Sequence, residues 1–248
     1  MANFPPLKKH IFYCIDKALD TVDIKSPFLD VGCGVGDLSE YLGTKNWYGR
    51  AIDQSNFAYI KACELLSSFS EIDICQKSIF NEHNLYESIF LLDVLEHIKD
   101  DKRAMEKIYS LLEPCGHVVM VVPSNPKEWR WDDEFYGHYR RYSPSRIVSL
   151  LNRVHLKPII IWDITYPFYW LMRRVFTKIK KKPEDIDNNM YVRTSMSSTV
   201  NAWEFPVLSK FILNQKNLWN QINKLQFLFF KNNVQKGHEM LIIARKIS

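Results

Sequence analysis

The 248-residue chain lacks the signatures that would place it in several large classes. Its five cysteines, Cys14, Cys33, Cys63, Cys75 and Cys115, are odd in number and scattered. They form no Cys-x-x-Cys pair and have no His-rich partner, so no metal site is expected and a reduced, cytoplasmic compartment fits. The first nine residues contain no apolar core followed by a cleavage site, which argues against a signal peptide. A spanning helix needs about 18 or more consecutive apolar residues. The best candidate, 158–172, carries Asp163 in its middle. Charge of one sign is also scarce: 33 Lys and Arg against 28 Asp and Glu leave a net +5, too little to define a nucleic-acid enzyme. Much of the local excess sits in Arg173, Arg174, Lys178, Lys180, Lys181 and Lys182. What is present is an ordinary globular balance, 46% hydrophobic and 25% charged. At this length, one α/β domain with an elaboration is the natural expectation.

From Phe28 onward, short apolar runs alternate with longer amphipathic ones, the pattern of βαβ units and a mostly parallel sheet. Strands are predicted at 28–31, 47–52, 72–76, 88–92, 117–122, 157–162 and 240–244, and helices at 6–19, 38–42, 57–66, 101–112 and 144–152. Asp100 or Asp101 can cap the fourth helix, and Ser143 before Pro144 combines a cap residue with proline at the first helical position. The segment from Glu113 to Gly116 supplies a stop and turn. The predicted fold is α/β, a seven-stranded, mostly parallel, doubly wound sheet with a helical lid between the last two strands. Residues 1–162 form the core, 163–237 the insertion and 238–248 the final strand. The insertion is too long for a plain connection. It holds an aromatic run (Tyr166, Phe168, Tyr169, Trp170), a polar stretch at 178–199 and a helical pattern at 205–230.

The first strand ends in Asp30 and runs directly into Gly32-x-Gly34-x-Gly36. Glycines there permit a tight turn and close approach of the backbone to a ligand. The spacing departs from the dinucleotide fingerprint because position 37 is Asp, and an acid opening the next helix would repel a pyrophosphate. A ligand without phosphate and with a positive end suits the loop better, such as the ammonium and sulfonium of S-adenosylmethionine. Asp30 can meet the ammonium directly or through water, and Asp53, at the end of the second strand, can accept from both ribose hydroxyls. The alternative is a glycine-rich turn and a helix-capping Asp without a ligand.

With these residues in view, the chain resembles the class I S-adenosylmethionine-dependent methyltransferases, in the small-molecule group that includes the quinone O-methyltransferases. The resemblance is carried by the run from Phe28 to Gly36, by Asp53, by Leu92 to Ile98 (LDVLEHI) and by Leu111 to Val118, about half of the chain in the expected order. It implies that Asp30, Gly32 and Gly34 hold the methionine end and that Asp53 and the neighbouring Gln54 line the ribose. It also implies that Asp93 faces the reactive side and that His97 is the histidine of the family's Glu-His pair. Where the family usually has an Asp for the adenine amine, this chain reads Gln76-Lys77-Ser78-Ile79, leaving Ser78 as a substitute and Ile79 as an apolar platform.

Methyl transfer from a sulfonium is an in-line displacement, so the enzyme aligns the nucleophile, excludes water and supplies a base if the nucleophile arrives protonated. The stretch from Trp129 to Ser143 carries groups for this. His138 is the candidate base, and Asp133, Tyr136, Arg140, Arg141 and Tyr142 are the candidate acceptor contacts. Its Gly-His-x-Arg-Arg-Tyr-Ser pattern resembles a subset of these methyltransferases from glycan, lipid and natural-product pathways. The competing reading is structural: the arginines knit to Asp132 and Asp133, with Tyr142 packed beneath. For His97, a satisfied buried histidine competes with a ligand contact.

The expected reaction is methyl transfer to an O or N atom of a small molecule, a glycan- or lipid-linked intermediate or a peptide end. S-adenosylhomocysteine is the product, and no nucleic acid is expected as partner. The Asn/Asp-Pro-Pro-aromatic tetrapeptide of many DNA and protein amino-methylating enzymes is absent, since Asp93-Val94-Leu95-Glu96 stands there. A non-catalytic S-adenosylmethionine-binding or scaffold protein is the alternative from another class. The aromatic and basic segment 164–182 adds a peripheral membrane contact as a further expectation.

Overall fold

The computed structural model describes residues 6–180 and 216–247. Seven strands form one sheet in the order β3-β2-β1-β4-β5-β7-β6. They are β1 (Phe28–Val31), β2 (Gly49–Asp53), β3 (Ile72–Gln76), β4 (Tyr86–Leu92), β5 (Leu112–Pro123), β6 (Leu156–Asp163) and β7 (Glu239–Lys246). The first five pair in parallel, while β7 lies antiparallel between β5 and β6. The helices are α1 (Pro6–Leu19), α2 (Asp37–Gly43), α3 (Asn56–Leu65), α4 (Asp101–Leu111), α5 (Trp131–Tyr136), α6 (Pro144–Arg153), α7 (Phe168–Ile179) and α8 (Lys216–Phe230).

Every residue of β1 is buried, as a central parallel strand covered on both faces requires. One apolar cluster joins Leu29, Ile89, Leu91, Met120 and Ile242 to α4 and α6; the other joins Phe28, Phe90, Val119 and Leu241 to α1, α2 and α3. Helix starts follow local chemistry. Asp100 caps α4 by accepting from the Arg103 amide at 3.0 Å, and Ser143 caps α6 by accepting from the Arg146 amide at 3.2 Å ahead of Pro144.

Two sequence expectations need correction, and a third lies partly outside the described residues. The Glu113–Gly116 turn lies inside β5 rather than before it, because pairing with β4 is made at Leu112 and resumes at His117 around Cys115, whose φ is +65°. Residues 131–136, outside the predicted helices, form α5, whose N-terminal turn is closed by Asp133 accepting from the Arg130 amide at 2.8 Å. Of the helical pattern at 205–230, α8 covers the later part; 205–215 and most of the polar stretch lie outside the described residues.

The chain crosses from one side of the sheet to the other between β1 and β4, so the connections after these strands diverge and open a crevice at their carboxyl ends. Because β7 runs antiparallel, its first residue, Glu239, stands on the same rim, opposite Pro123. The rim therefore carries an acid at or next to the end of β1, β2, β4, β7 and β6: Asp30, Asp53, Asp93, Glu239 and Asp163. The insertion leaves and returns at one knot. Asp163 accepts from the amides of Thr165, Tyr166 and Gly237 at 2.8, 2.8 and 2.6 Å, and the Thr165 hydroxyl accepts from the amides of His238 and Glu239 at 2.8 and 3.2 Å.

Candidate active site

On the β1–β2 side, Gly32, Gly34 and Gly36 all have positive φ, of +64°, +57° and +94°. A Cβ on Gly32 would also lie 2.8 Å from Val94 Cγ2, so glycine is enforced by backbone conformation and by the neighbouring β4 turn, before any ligand is considered. Asp30 is 2% exposed and its Oδ2 accepts from the Ser39 hydroxyl at 2.7 Å, which ties β1 to α2. Burial raises its carboxyl to about 7, opposed by that hydrogen bond. Asp53 accepts from the Gly34 and Ser55 amides at 3.0 and 2.8 Å, so it shapes the glycine loop itself. Burial raises its pKa as well.

Gln54 is exposed beside it, its carbonyl accepting from Gln76 Nε2 at 3.4 Å. Ser78 caps the short 3₁₀ turn Ile79–Asn81, accepting from the Phe80 amide at 3.4 Å. Ile79 is 4% exposed and belongs to the core, which leaves little of it as an adenine platform. Sequence reasoning missed Lys8 on α1, which pairs with Asp37 and lies within electrostatic reach of Asp93 and Asp30. The repulsion expected from Asp37 toward phosphate is thus offset, and the acidity of the cradle resides in Asp30, Asp53 and Asp93.

Asp93, with φ of +54°, keeps contact with solvent just past the end of β4, although protein surrounds its carboxyl. That enclosure holds its carboxyl up to about 6, while His138, Lys8 and Arg141 pull the other way. The following turn carries Glu96, which is fully buried, and His97, whose ring is 4.8 Å from that of His138 and edge-on to it. Burial lowers His97 to about 3.

His138 follows α5, and its Nδ1 is 2.9 Å from Asp133 Oδ1. An ionised carboxylate only accepts, so Nδ1 carries the proton and the neutral ring keeps its lone pair on Nε2. Nε2 is 3.9 Å from Glu96 Oε1. Asp133 also receives Arg141 at 2.8 Å and Arg173 at 2.9 Å. Although burial opposes ionisation, these donors, led by His138, hold its carboxyl far below the usual range. Tyr136 packs beside His138, with ring centroids 6.5 Å apart, and burial raises its phenol to about 12.

The structure separates the residues proposed for the acceptor. Asp133 is a fully enclosed hub that orients His138, so its assignment as a direct acceptor contact is corrected. Tyr142 is 0% exposed, with its hydroxyl donating to Asp101 at 3.1 Å; it belongs to the core. Arg140 spends its donors on the carbonyls of Ile98 and Lys99, at 2.9 and 2.5 Å, and on Asp101 at 3.0 Å. It anchors the loop. Arg141 is 5% exposed and donates to the carbonyls of Ser124 and His238, both at 2.9 Å, as well as to Asp133. His138 and Tyr136 remain as groups able to meet an acceptor.

Arg173, read from sequence as part of a basic surface, is 5% exposed and grips Asp132 at 2.8 and 2.6 Å while donating to the Glu128 carbonyl at 2.9 Å. Arg174 lies 4.1 Å over the Trp170 ring and pairs with Glu128 at 2.5 Å. Both are therefore largely committed within the protein. Glu96 stood in the sequence motif without an assigned role, and His238 and Glu239 were missed; Glu96 makes a contact with His138 at 3.9 Å, while the antiparallel β7 brings Glu239 to the rim.

Fold and rim define a doubly wound protein with a glycine cradle on one side of its crossover point and a buried His–Asp pair on the other. A profile of the methyltransferase domain family matches residues 10–159, and the chain belongs to that family. It is 25% identical over 194 residues to phosphoethanolamine N-methyltransferase 1 of Zea mays, covering 71% of this chain and 37% of that protein. It is 33% identical over 110 residues to a ubiquinone biosynthesis O-methyltransferase of Marinobacter nauticus, covering 41% of this chain and 46% of that protein. The chain thus spans less than half the length of these relatives.

Among solved structures, the fold resembles the 1,6-didemethyltoxoflavin-N1-methyltransferase of Burkholderia thailandensis, solved with S-adenosylhomocysteine bound. The TM-score is 0.56 at 12% identity, covering 98% of this chain and 79% of that one. It also resembles the [4+2]-cyclase SpnF, with a TM-score of 0.58 at 14% identity, covering 95% and 80%. No described helix is long and apolar enough to cross a membrane.

Proposed function

We propose that the chain is an S-adenosylmethionine-dependent methyltransferase acting on an O or N atom of a small-molecule acceptor, with glycan- or lipid-linked intermediates and peptide ends in the same range. The observation that carries this reading is the pairing, across one crevice, of a phosphate-averse glycine cradle with a base whose other ring nitrogen is fixed by Asp133. Asp30, Gly32 and Gly34 would hold the methionine end of the donor, Asp53 and Gln54 its ribose, and Ser78 and Ile79 its adenine. Asp93 and His97 would border the sulfonium. The donor supplies an electrophilic methyl group; the chain's own residues orient the acceptor, exclude water and let His138 Nε2 take a proton. In this reading residues 1–162 and 238–248 form the donor-binding core, and 163–237 cover the acceptor, in a reducing, cytoplasmic setting.

The similarity to a cyclase shows that this fold does not fix the reaction, so a direct test is needed. The full chain is incubated with methyl-labelled S-adenosylmethionine and a small-molecule extract. The expected result is transfer of label, reduced about 10²- to 10⁴-fold by His138→Ala, the usual contribution of a general base. Donor binding without transfer to any fraction would instead favour a binding or scaffold protein.

One observation supports a further contact. On α7, Phe168, Leu171, Val175 and Ile179 follow one another at helical spacing and are 49%, 56%, 42% and 70% exposed; Leu228 and Phe229 on α8 are 67% and 65% exposed. We propose that this apolar stripe within 164–182 meets a membrane surface or an amphipathic acceptor, with Lys178 and Lys180 rather than Arg173 supplying the charge. Flotation with vesicles tests it, and loss of binding in Leu171→Glu/Ile179→Glu is expected.

A further inference from the structure

We infer that α7 and α8 are an inside-out helix pair that seats the protein on an anionic lipid bilayer. The inference rests on the apolar stripe proposed above as a contact; it extends that stripe to both helices and commits it to one partner.

A surface helix ordinarily turns its apolar side to the core and its charges to water. Here the arrangement is reversed twice. The buried side of α7 includes Arg173 and Thr177, while Phe168, Leu171, Val175 and Ile179 face solvent. On α8, Asn223 and Gln226 are 3% and 2% exposed, whereas Leu225, Leu228 and Phe229 are more than half exposed. Directed bonds fix these orientations. Arg173 is held by Asp132 and Asp133, and Thr177 donates to the Arg173 carbonyl at 2.9 Å. Gln226 accepts from the Phe168 amide at 3.1 Å and donates to the Ile164 carbonyl at 2.9 Å, and Asn223 accepts from the Tyr169 hydroxyl at 2.7 Å. Rotating either helix to hide its apolar side would strip these buried groups of their partners. The apolar sides therefore stay outward in the folded chain, and a partner must take them out of water.

Charge identifies that partner. The described residues of the insertion, 164–180 and 216–237, contain eight Lys and Arg and no Asp or Glu. Arg173 and Arg174 are spent on Asp132, Asp133 and Glu128. The lysines stand among the outward apolar residues: Lys178 and Lys180 flank Ile179 at the end of α7, and Lys224 precedes Leu225 on α8, all of them exposed. A face that is apolar and charged with one sign suits the headgroup boundary of an anionic bilayer, where the apolar side chains enter the acyl edge and the lysines reach lipid phosphates. A second copy of the chain would instead set lysine against lysine across the contact, and like charges facing each other disfavour association.

The same helix carries a wall of the candidate site. Arg173 reaches Asp133, which holds His138, and Trp131 of α5 donates to the Thr177 carbonyl at 2.9 Å. A bilayer against the outer side of α7 thus lies one helix away from the element that orients the base.

The test is flotation of the full chain with vesicles of phosphatidylcholine alone and of phosphatidylcholine mixed with phosphatidylglycerol, at about 0.1 M and about 1 M salt, where the screening length falls from about 10 to about 3 Å. Binding to the mixed vesicles is expected to be at least about ten-fold tighter than to phosphatidylcholine at low salt, and to lose that advantage at high salt. Lys178→Glu/Lys180→Glu should weaken binding to the mixed vesicles by about ten-fold or more and leave phosphatidylcholine unaffected, while Leu228→Glu/Phe229→Glu should weaken both. All four side chains are exposed, and an unchanged thermal melt shows that each variant is folded. Equal binding to the two vesicles, or an unchanged affinity in the folded lysine variant, overturns the anionic bilayer while leaving an apolar contact standing. Unchanged binding in Leu228→Glu/Phe229→Glu removes α8 from the contact and overturns the helix pair. Binding to neither vesicle overturns the bilayer contact altogether, and sedimentation that then shows a dimer assigns the face to a second copy. None of these readouts depends on methyl transfer.

Discussion

Replacing Asp133 by Asn removes one charge from a hub and should damage stability and catalysis by separable amounts. The carboxylate is fully enclosed and accepts from the Arg130 amide at 2.8 Å, Arg141 at 2.8 Å, Arg173 at 2.9 Å and His138 Nδ1 at 2.9 Å. Taking one partner from a buried ion pair commonly costs about 3–5 kcal/mol, because the remaining charge is left without compensation. Here Arg173 keeps Asp132, and Arg141 keeps the carbonyls of Ser124 and His238. The expected cost is therefore about 2–4 kcal/mol, a fall in Tm of about 5–15 °C for a chain of this size. Because Asn can turn either its oxygen or its amide toward Nδ1, the ring loses its fixed tautomer, and kcat should drop by about 10²- to 10⁴-fold with KM for the donor unchanged. Differential scanning calorimetry gives the first quantity and steady-state methyl transfer the second. If Asp133→Asn melts within about 2 °C of the parent chain, the hub is not carrying buried charge as its geometry requires.

Gly32→Ala should weaken S-adenosylhomocysteine binding by about ten-fold or more, since a left-handed alanine costs about 1–2 kcal/mol and its Cβ would sit 2.8 Å from Val94 Cγ2; unchanged affinity would refute the cradle. In Gly237→Ala the new Cβ falls 2.3 Å from Asp163 Oδ1 and 2.5 Å from Thr165 Oγ1, so the knot closing the insertion must open, at about 1–3 kcal/mol in the unfolding free energy. The ligand-free protein should lose stability as pH rises from 6.5 to 8. Asp30 and Glu239 are raised to about 7 and about 8, so their contribution is full below the unfolded carboxyl range and is lost as pH rises through those values. On that basis denaturant melts should show about 2 kcal/mol lost between pH 6.5 and 8. Between about pH 4 and 6.5 the buried histidines oppose that loss without reversing it, since His10 and His97 are lowered to about 4 and about 3 and protonate first in the unfolded chain. A stability maximum at pH 8 would contradict these assignments.

Sequence pattern located the repeating units well: α1, β1 and β3 fall where alternation and periodicity put them, and the caps at Asp100 and Ser143 act as their residue types indicate. The glycine cradle was legible because its requirement, positive φ at three positions, is local. Glu96 was printed in the motif from Leu92 to Ile98, yet nothing local says that its carboxylate ends without a partner. Glu239 and His238 were opaque for a different reason. Their place at the rim depends on β7 inserting antiparallel between β5 and β6, a choice made by long-range pairing. Arg173 looked like surface charge since its neighbours in sequence are basic, while its acids, Asp132 and Asp133, lie 40 residues away on α5. Arg140, Arg141 and Tyr142 show the converse: a dense run of functional residue types that serves mostly to fasten its own loop.

The same carboxylate links the insertion to the base. Asp133 holds His138 with one oxygen and Arg173 of α7 with the other, and α7 is further pinned to α5 by Trp131 donating to the Thr177 carbonyl at 2.9 Å. Any displacement of α7 that draws Arg173 away leaves Asp133 with more negative charge to share between His138 and Arg141, and a carboxylate with fewer donors strengthens its bond to the imidazole. Helix α7 and the His138 ring are therefore one electrostatic unit. Residues in direct contact or in one ion-pair network typically couple by about 0.5–3 kcal/mol, so substitutions in α7 that alter acceptor choice will not leave the base untouched. That coupling accounts for the placement of Arg173: a cation of low hydration with a rigid fork can bind Asp132 and Asp133 together, which a lysine in its place could not do.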